Sequence, residues 1–173
     1  MASTYLTRTF GSAGTSDKIK TISAWIKRAT TGTENSIITA GASLRDLIRF
    51  ETSGAFRVRL SNGVSDLTTN RLFRDISAWY HIVVAFDTTQ ATASDRIKIY
   101  VNGLEETSFS TTTYPSPNQT LKLGTANPNH IGNDSEQTSP YFNGSMAHFH
   151  FIDGLAYDAS AFGQFDANGI WTP

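Results

Sequence analysis

The chain contains no cysteine, so a disulfide framework, a thiolate metal site and a thiol nucleophile are all closed to it. Charged residues are scarce, 17% of 173, and the formal net charge is −1. Lys and Arg are scattered, with no basic stripe of the kind that binds nucleic acid. Long apolar runs are also missing. No window approaches the ~18 apolar residues of a membrane span, and the opening MASTYLTRTF has no apolar stretch of signal-peptide length. The expectation is a protein made in the cytoplasm, without nucleic-acid or membrane partners, held together by burial alone or by assembly. Helical periodicity longer than two turns is absent too. In its place stand Thr, Ser, Asn and Gly, with eleven Phe, six Tyr and three Trp to build a core.

Period-two alternation runs through several segments, the signature of half-buried strands. Ile22, Ala24 and Ile26 share one face of TISAWIKR, opposite Trp25. Phe56, Val58 and Leu60 oppose Arg57 and Arg59. Ile97, Ile99 and Val101 oppose Lys98 and Tyr100. Residues 81–86, HIVVAF, are apolar on both faces, which predicts a central strand covered on both sides. In SMAHFHFIDG the alternation puts Ala147, Phe149 and Phe151 opposite His148 and His150.

Asn62-Gly63, Asn102-Gly103, Asn143-Gly144, Asp153-Gly154 and Asn168-Gly169 are turn signals. Pro115 and Pro117 mark a loop or an edge. Asp158 is placed to cap one short helical turn. Many short strands, frequent turns and no internal repeat predict one all-β domain over residues 1–173, a jelly-roll sandwich of two antiparallel sheets.

Chemistry-bearing patterns are few. A glycosidase on such a fold needs two carboxylates facing one cleft, most simply at alternate positions of one strand, and no predicted strand carries that series. Glu105 and Glu106 are adjacent and so point to opposite faces. With no cysteine and no nucleophile elbow, the expectation is a protein without catalytic residues. His148 and His150 have the one metal-like spacing, i and i+2 on a strand, with His81, His130 or a carboxylate to complete the set. The alternative is two imidazoles on a polar face or at an interface. Asp87, Asp95, Asp134 and Asp153 fall at strand ends or turns where calcium is commonly held, although turn Asp also bonds its own backbone. No cofactor is required, with calcium the one candidate. Tyr114 and Tyr141 lie in Pro- and Ser-rich loops near Asn118, Asn133, Asp134 and Gln137. Rings beside amides and carboxylates suit a sugar or a protein interface, and covering the sandwich ends is the plain alternative. Asn118, Asn133 and Asn143 each begin a glycosylation sequon of the kind expected by chance in this composition.

The stretches TISAWIKR, Trp79-Tyr80-His81 running into Ile82–Phe86, Lys98-Ile99-Tyr100-Val101-Asn102-Gly103 and YFNGSMAHFHFIDG together resemble the concanavalin A-like, laminin-G-like jelly-roll superfamily. The resemblance spans roughly Tyr5 to Pro173 and implies the fold more than the function, because that superfamily hosts lectins, glycosidases, adhesion modules and virion parts. A narrower resemblance rests on YLTRTFGSAG and on the ending with Ile152, Asp153, Gly154, Phe162, Gly163 and Trp171, which is similar to jelly-roll domains of tailed-phage structural proteins. It implies a non-enzymatic virion accessory protein, a decoration protein on the capsid exterior or a tail-associated module. Its partners would be major capsid or tail proteins, with a host surface glycan as a further partner and homo-oligomerisation left open. A carbohydrate-binding lectin-like module of a tail fibre or a secreted bacterial protein is the alternative.

Overall fold

Strand β2 (Ile19–Arg28) sets the frame, because its alternation decides what the core is made of. In the computed structural model, which describes residues 4–42, 44–61, 64–134 and 141–173, Ile22, Ala24 and Ile26 of β2 are buried as the alternation predicts. The same face also carries Lys20 and Arg28, at the two ends of the strand and fully buried. Arg28 lies over the Phe50 ring, 4.9 Å from its centroid, and donates to the Phe73 carbonyl at 2.7 Å. Lys20 is paired with Asp153 and sits 5.6 Å from the Phe151 ring. Lys20 is thus held by an ion pair and Arg28 by a carbonyl and a ring face, although the buried Arg28 Nε makes no hydrogen bond.

β2 is the second strand of a five-stranded antiparallel sheet, in the order β12 (Gly144–Asp153), β2, β7 (Tyr80–Asp87), β8 (Ile97–Val101) and β9 (Leu104–Glu105). The doubly apolar segment is the central strand β7, as expected. Ile82, Val84 and Phe86 face the core, while His81, Val83 and Ala85 are buried on the other side. Asn102 and Gly103 close the β8–β9 hairpin with φ of 48° and 82°, the primed turn that Asn-Gly permits.

The second sheet has seven strands. Its order is β1 (Leu6–Thr9), β11 (Pro128–Ile131), β3 (Asn35–Ala40), β4 (Asp46–Phe50), β5 (Ala55–Leu60), β6 (Ser65–Leu72) and β10 (Phe109–Thr113). Phe56, Val58 and Leu60 of β5 are buried against the first sheet, with Phe50, Phe56 and Phe73 packed edge to face at 5.2–6.2 Å. Arg57 and Arg59 project from the opposite face. A two-stranded hairpin, β13 (Gln164–Phe165) with β14 (Trp171–Thr172), completes the chain. Asp158 caps the short turn Ala159–Ala161 by accepting from the Ser160 amide at 2.9 Å, as the sequence predicts. This all-β, two-sheet jelly-roll sandwich is the expected fold class; the Asn62-Gly63 turn lies outside the described residues.

One expectation is corrected. Strand β12 breaks its register between Ala147 and His150, with His148 at φ 48°. This bulge inserts a residue and reverses the alternation. Met146, Phe149 and Phe151 pack on the core, whereas Ala147 pairs with Trp25 on the outer side. The first strand β1 pairs with β11, and just after it Phe10 stacks on Phe151 of β12 at 6.1 Å.

Gly103 and Gly32 both hold positive φ, but only Gly103 has a neighbour: an added Cβ would lie 2.2 Å from the Trp171 ring, against open space at Gly32. Gly32→Ala is expected to cost about 1–2 kcal/mol of backbone strain. Gly103→Ala adds about 1–3 kcal/mol of overpacking. Urea unfolding of the two variants checks this, and equal losses would contradict the contact.

Candidate ligand-binding site

The outer face of the five-stranded sheet is covered at its centre by the C-terminal hairpin. His81, 1% exposed, lies between the Trp25 ring at 5.1 Å and the Trp171 ring at 5.8 Å, both stacked. The Trp171 indole N–H donates to His81 Nδ1 at 2.9 Å, and His81 Nε2 meets Ser23 Oγ at 2.9 Å. An indole nitrogen can only donate, so Nδ1 carries no proton and Nε2–H donates to Ser23. The Ser–His pair therefore runs the wrong way for nucleophile activation. Burial, with His150 and His148 adding repulsion, pushes the His81 pKa down to about 4. Trp171 lies flat on this outer face, in a slot left by Gly103 and Gly163.

The outer face of the seven-stranded sheet is polar. Arg49 is held by Glu34 at 2.6 and 2.7 Å and by Glu51 at 2.8 and 3.3 Å. Arg57 bonds Glu51 at 3.3 Å and grips both oxygens of Asp66, 3.0 and 3.2 Å from its Nε and more closely through Nη2. These contacts, Asp66 foremost, raise the Arg57 pKa. Beyond the end of β11 the chain turns back over this face. Thr39 Oγ1 donates to the Asn133 carbonyl at 3.1 Å, and Arg45 pairs with Asp134 at 3.0 Å.

At one end the two sheets part around a cleft of about 830 Å³, lined among others by Tyr5, Leu6, Thr30, Thr33, Glu34, Tyr141, Phe142 and Asn143. The Tyr5 and Tyr141 rings are 6.1 Å apart. Tyr141 is fixed by a bridge to Asn133, Phe142 by its amide bond to Gly132 at 2.9 Å, and Asn143 by its amide bond to Asn35 Oδ1 at 3.0 Å. Glu34 belongs both to this cleft and to the arginine ladder, so the ladder fixes a carboxylate at the cleft wall.

The loop residues singled out from sequence separate into two groups. Asn133, Asp134 and Tyr141 come together beside the cleft, with Asn133 and Asp134 buried and Tyr141 in its wall. Tyr114 packs on the core, and Asn118 lies where its amide bonds the Thr88 carbonyl at 2.7 Å, beyond the end of β7. Gln137 lies outside the described residues. Tyr5, Glu34 and Asn143 were missed; no local pattern marks them, because β1, the turn before β3 and the start of β12 meet only in the fold.

Neither metal proposal finds a ligand set among the described residues. The bulge at His148 removes it from the alternation, and His150 faces the Phe162 ring at 5.6 Å. Asp134 is paired with Arg45, and Asp153 accepts from Lys20 and from the Thr15 and Ser16 amides. Asp87 and Asp95 share a groove of about 350 Å³, but Asp87 accepts from Thr89 and Gln90, and Asp95 pairs with Lys98.

Two antiparallel sheets, one outer face covered at its centre by the C-terminal hairpin and an open cleft at one end, define a jelly-roll sandwich of the lectin type. The chain belongs to the concanavalin A-like lectin/glucanases superfamily, which it matches over residues 3–157. No curated protein matches it. Among solved structures it is similar to a heptameric SAP-like pentraxin of Limulus polyphemus (12% identity, TM-score 0.57, 83% of this chain and 67% of that one). It is also similar to domain 4 of the extracellular arabinanase AbnA of Geobacillus stearothermophilus in complex with arabinotriose (17%, TM-score 0.57, 86% and 67%). A third is the CBM40 of the Ruminococcus gnavus IT-sialidase bound to α2,3 sialyllactose (12%, TM-score 0.56, 90% and 95%). At these identities the likeness establishes the fold.

Two buried groups give opposite pH dependences. His81, neutral in the fold with its pKa lowered from 6.5 to about 4, contributes stability that is present above pH 6.5 and lost as pH falls through 4. Asp46 accepts from the Ser61, Lys122 and Leu123 amides, yet burial raises its pKa from 3.8 to about 6. Its contribution is present below pH 3.8 and lost as pH rises through 6. Their slopes oppose each other between pH 4 and 6. NMR titration of the His81 ring is expected to give a midpoint near 4 with the proton on Nε2, and a midpoint above 6 would contradict the sandwich. In Asp46→Asn the acid-side loss of stability is expected to steepen.

Proposed function

We propose that the chain is a non-catalytic carbohydrate-binding module that holds a short oligosaccharide in the Tyr5–Tyr141 cleft. The observation that carries this reading is the cleft itself: two tyrosine rings stand beside the Thr30 and Thr33 hydroxyls, the Glu34 carboxylate and the Asn143 amide. Ring faces suit the apolar face of a sugar, and the polar groups suit its hydroxyls. The descriptions of two fold relatives, with arabinotriose and sialyllactose bound, support the same chemistry. A binding role without hydrolysis is supported by the carboxylate at the cleft. A glycosidase needs one protonated acid and one free base or nucleophile across the sugar, whereas Glu34 is the one carboxylate among the described residues lining the cleft, and it accepts from Arg49.

The setting we propose for this module is the exterior of a virion, as a decoration or tail-associated protein. What supports it is the resemblance of the N-terminal stretch and of the ending from Ile152 to Trp171, not the fold relatives. Mass spectrometry and imaging of purified particles test it, and absence of the chain from particles would sink it.

A glycan array followed by calorimetry tests the binding function. Binding is expected, with Tyr141→Ala weakening it about tenfold, equivalent to about 1.4 kcal/mol. No reducing-sugar release is expected from the same glycans. An array without any bound saccharide, or a Tyr141→Ala variant that binds as tightly as the native chain, would overturn the reading.

A further inference from the structure

Arg59 on β5 is a half-buried cation without a partner. In the sheet register it stands between Leu47 on β4 and Asp66 on β6. Asp66 is its natural partner across the strands, but both Asp66 oxygens are taken by Arg57, and Thr68 Oγ1 donates to one of them as well. Glu51 is shared by Arg49 and Arg57, Glu34 is held by Arg49, and Asp134 is paired with Arg45. Arg59 makes no hydrogen bond or ion pair to any described residue, and its Nε is fully buried. Burial, followed by repulsion from Arg57, Arg45 and Arg49, lowers its pKa, and Asp66 offsets only part of this. A guanidinium so placed is costly to hold, since cations out of water are normally paired. The planar fork of donors of a guanidinium fits an oxyanion in bidentate geometry.

We infer that Arg59 anchors an oxyanion subsite on the outer face of the seven-stranded sheet, which takes the carboxylate of an acidic saccharide. The charge of the surroundings selects a monoanion. Among the described residues Arg45, Arg49, Arg57 and Arg59 face four carboxylates, Glu34, Glu51, Asp66 and Asp134, so a dianionic phosphate would leave this face with more excess negative charge than a monoanion. Arg49 and Glu34 carry the charge ladder of this face to the wall of the tyrosine cleft. This inference rests on the carbohydrate-binding reading and adds the class of sugar.

The test is calorimetric titration of the native chain, Arg59→Met and Arg59→Lys with three oligosaccharides of one backbone: neutral, carboxylated (uronic acid) and O-sulfated. The native chain is expected to bind the carboxylated sugar at least tenfold more tightly than the neutral one. Arg59→Met is expected to abolish that preference, leave neutral-sugar affinity unchanged and unfold at the same or a higher temperature, because it removes a repelled cation. Arg59→Lys keeps the charge without the fork and is expected to recover only part of the preference. Neutral binding with no preference for the carboxylate, or a preference untouched in Arg59→Met, overturns the subsite while the carbohydrate-binding reading stands. Equal affinity for the sulfated sugar overturns the carboxylate assignment. Failure of all three sugars to bind overturns the carbohydrate-binding reading, and this inference with it.

Discussion

The contact between the Trp171 indole and His81 decides which side of the sandwich is open. It draws the final hairpin onto β7 and β8, demands glycine at positions 103 and 163, and fixes the imidazole in the tautomer that donates to Ser23. A stacked, neutral histidine between two tryptophans needs no solvent and offers no base. The central strand β7 is consequently apolar or occupied on both faces, and the five-stranded sheet becomes a wall. Ligand chemistry is left to the other sheet and to the cleft where the two sheets part.

The seven-stranded sheet handles the same problem of a covered outer face with charge. Its arginines and carboxylates are partly desolvated, which is costly for any group that lacks a hydrogen-bonded counter-ion. The ladder Glu34–Arg49–Glu51–Arg57–Asp66 supplies such counter-ions along its length. Rigid bidentate pairing also has a positional consequence: Glu34 is locked at the wall of the cleft, and Arg59 is deprived of the carboxylate opposite it. The pairing that stabilises the sheet thereby leaves Arg59 unmatched, the condition on which the proposed subsite rests.

The layers of the fold were legible in the sequence because strand alternation maps directly onto burial. Ile22, Ala24 and Ile26 against Trp25, or Phe56, Val58 and Leu60 against Arg57 and Arg59, sort themselves without knowledge of any neighbour. The alternation fails where the backbone inserts a residue, as at His148, whose positive φ is not encoded by hydrophobicity. It also says nothing of how a cation such as Lys20 or Arg28 is satisfied inside, since the partners Asp153 and Phe73 come from elsewhere in the chain. The candidate site was less legible for the same reason. Tyr141 was found from its loop composition, but Tyr5 and Glu34 reach it through long-range pairing, and the isolation of Arg59 depends on which of two arginines captures Asp66. Loop residues that read alike, Tyr114 and Tyr141, end in different places, one on the core and one in the cleft wall.

Membership of the concanavalin A-like lectin/glucanases superfamily accounts for the sandwich, and the distribution of polar groups over it accounts for where a ligand can bind. The account therefore stands or falls on location. The direct measurement is mapping of backbone and arginine side-chain NMR shifts during titration with an oligosaccharide that binds. The account predicts shifts confined to Tyr5, Thr33, Glu34, Tyr141 and Asn143 around the cleft and, for an acidic sugar, the Arg59 Nε–H. Shifts centred on His81, Tyr157 and Trp171 would contradict it, because they would put the ligand on the face that the C-terminal hairpin is held to seal.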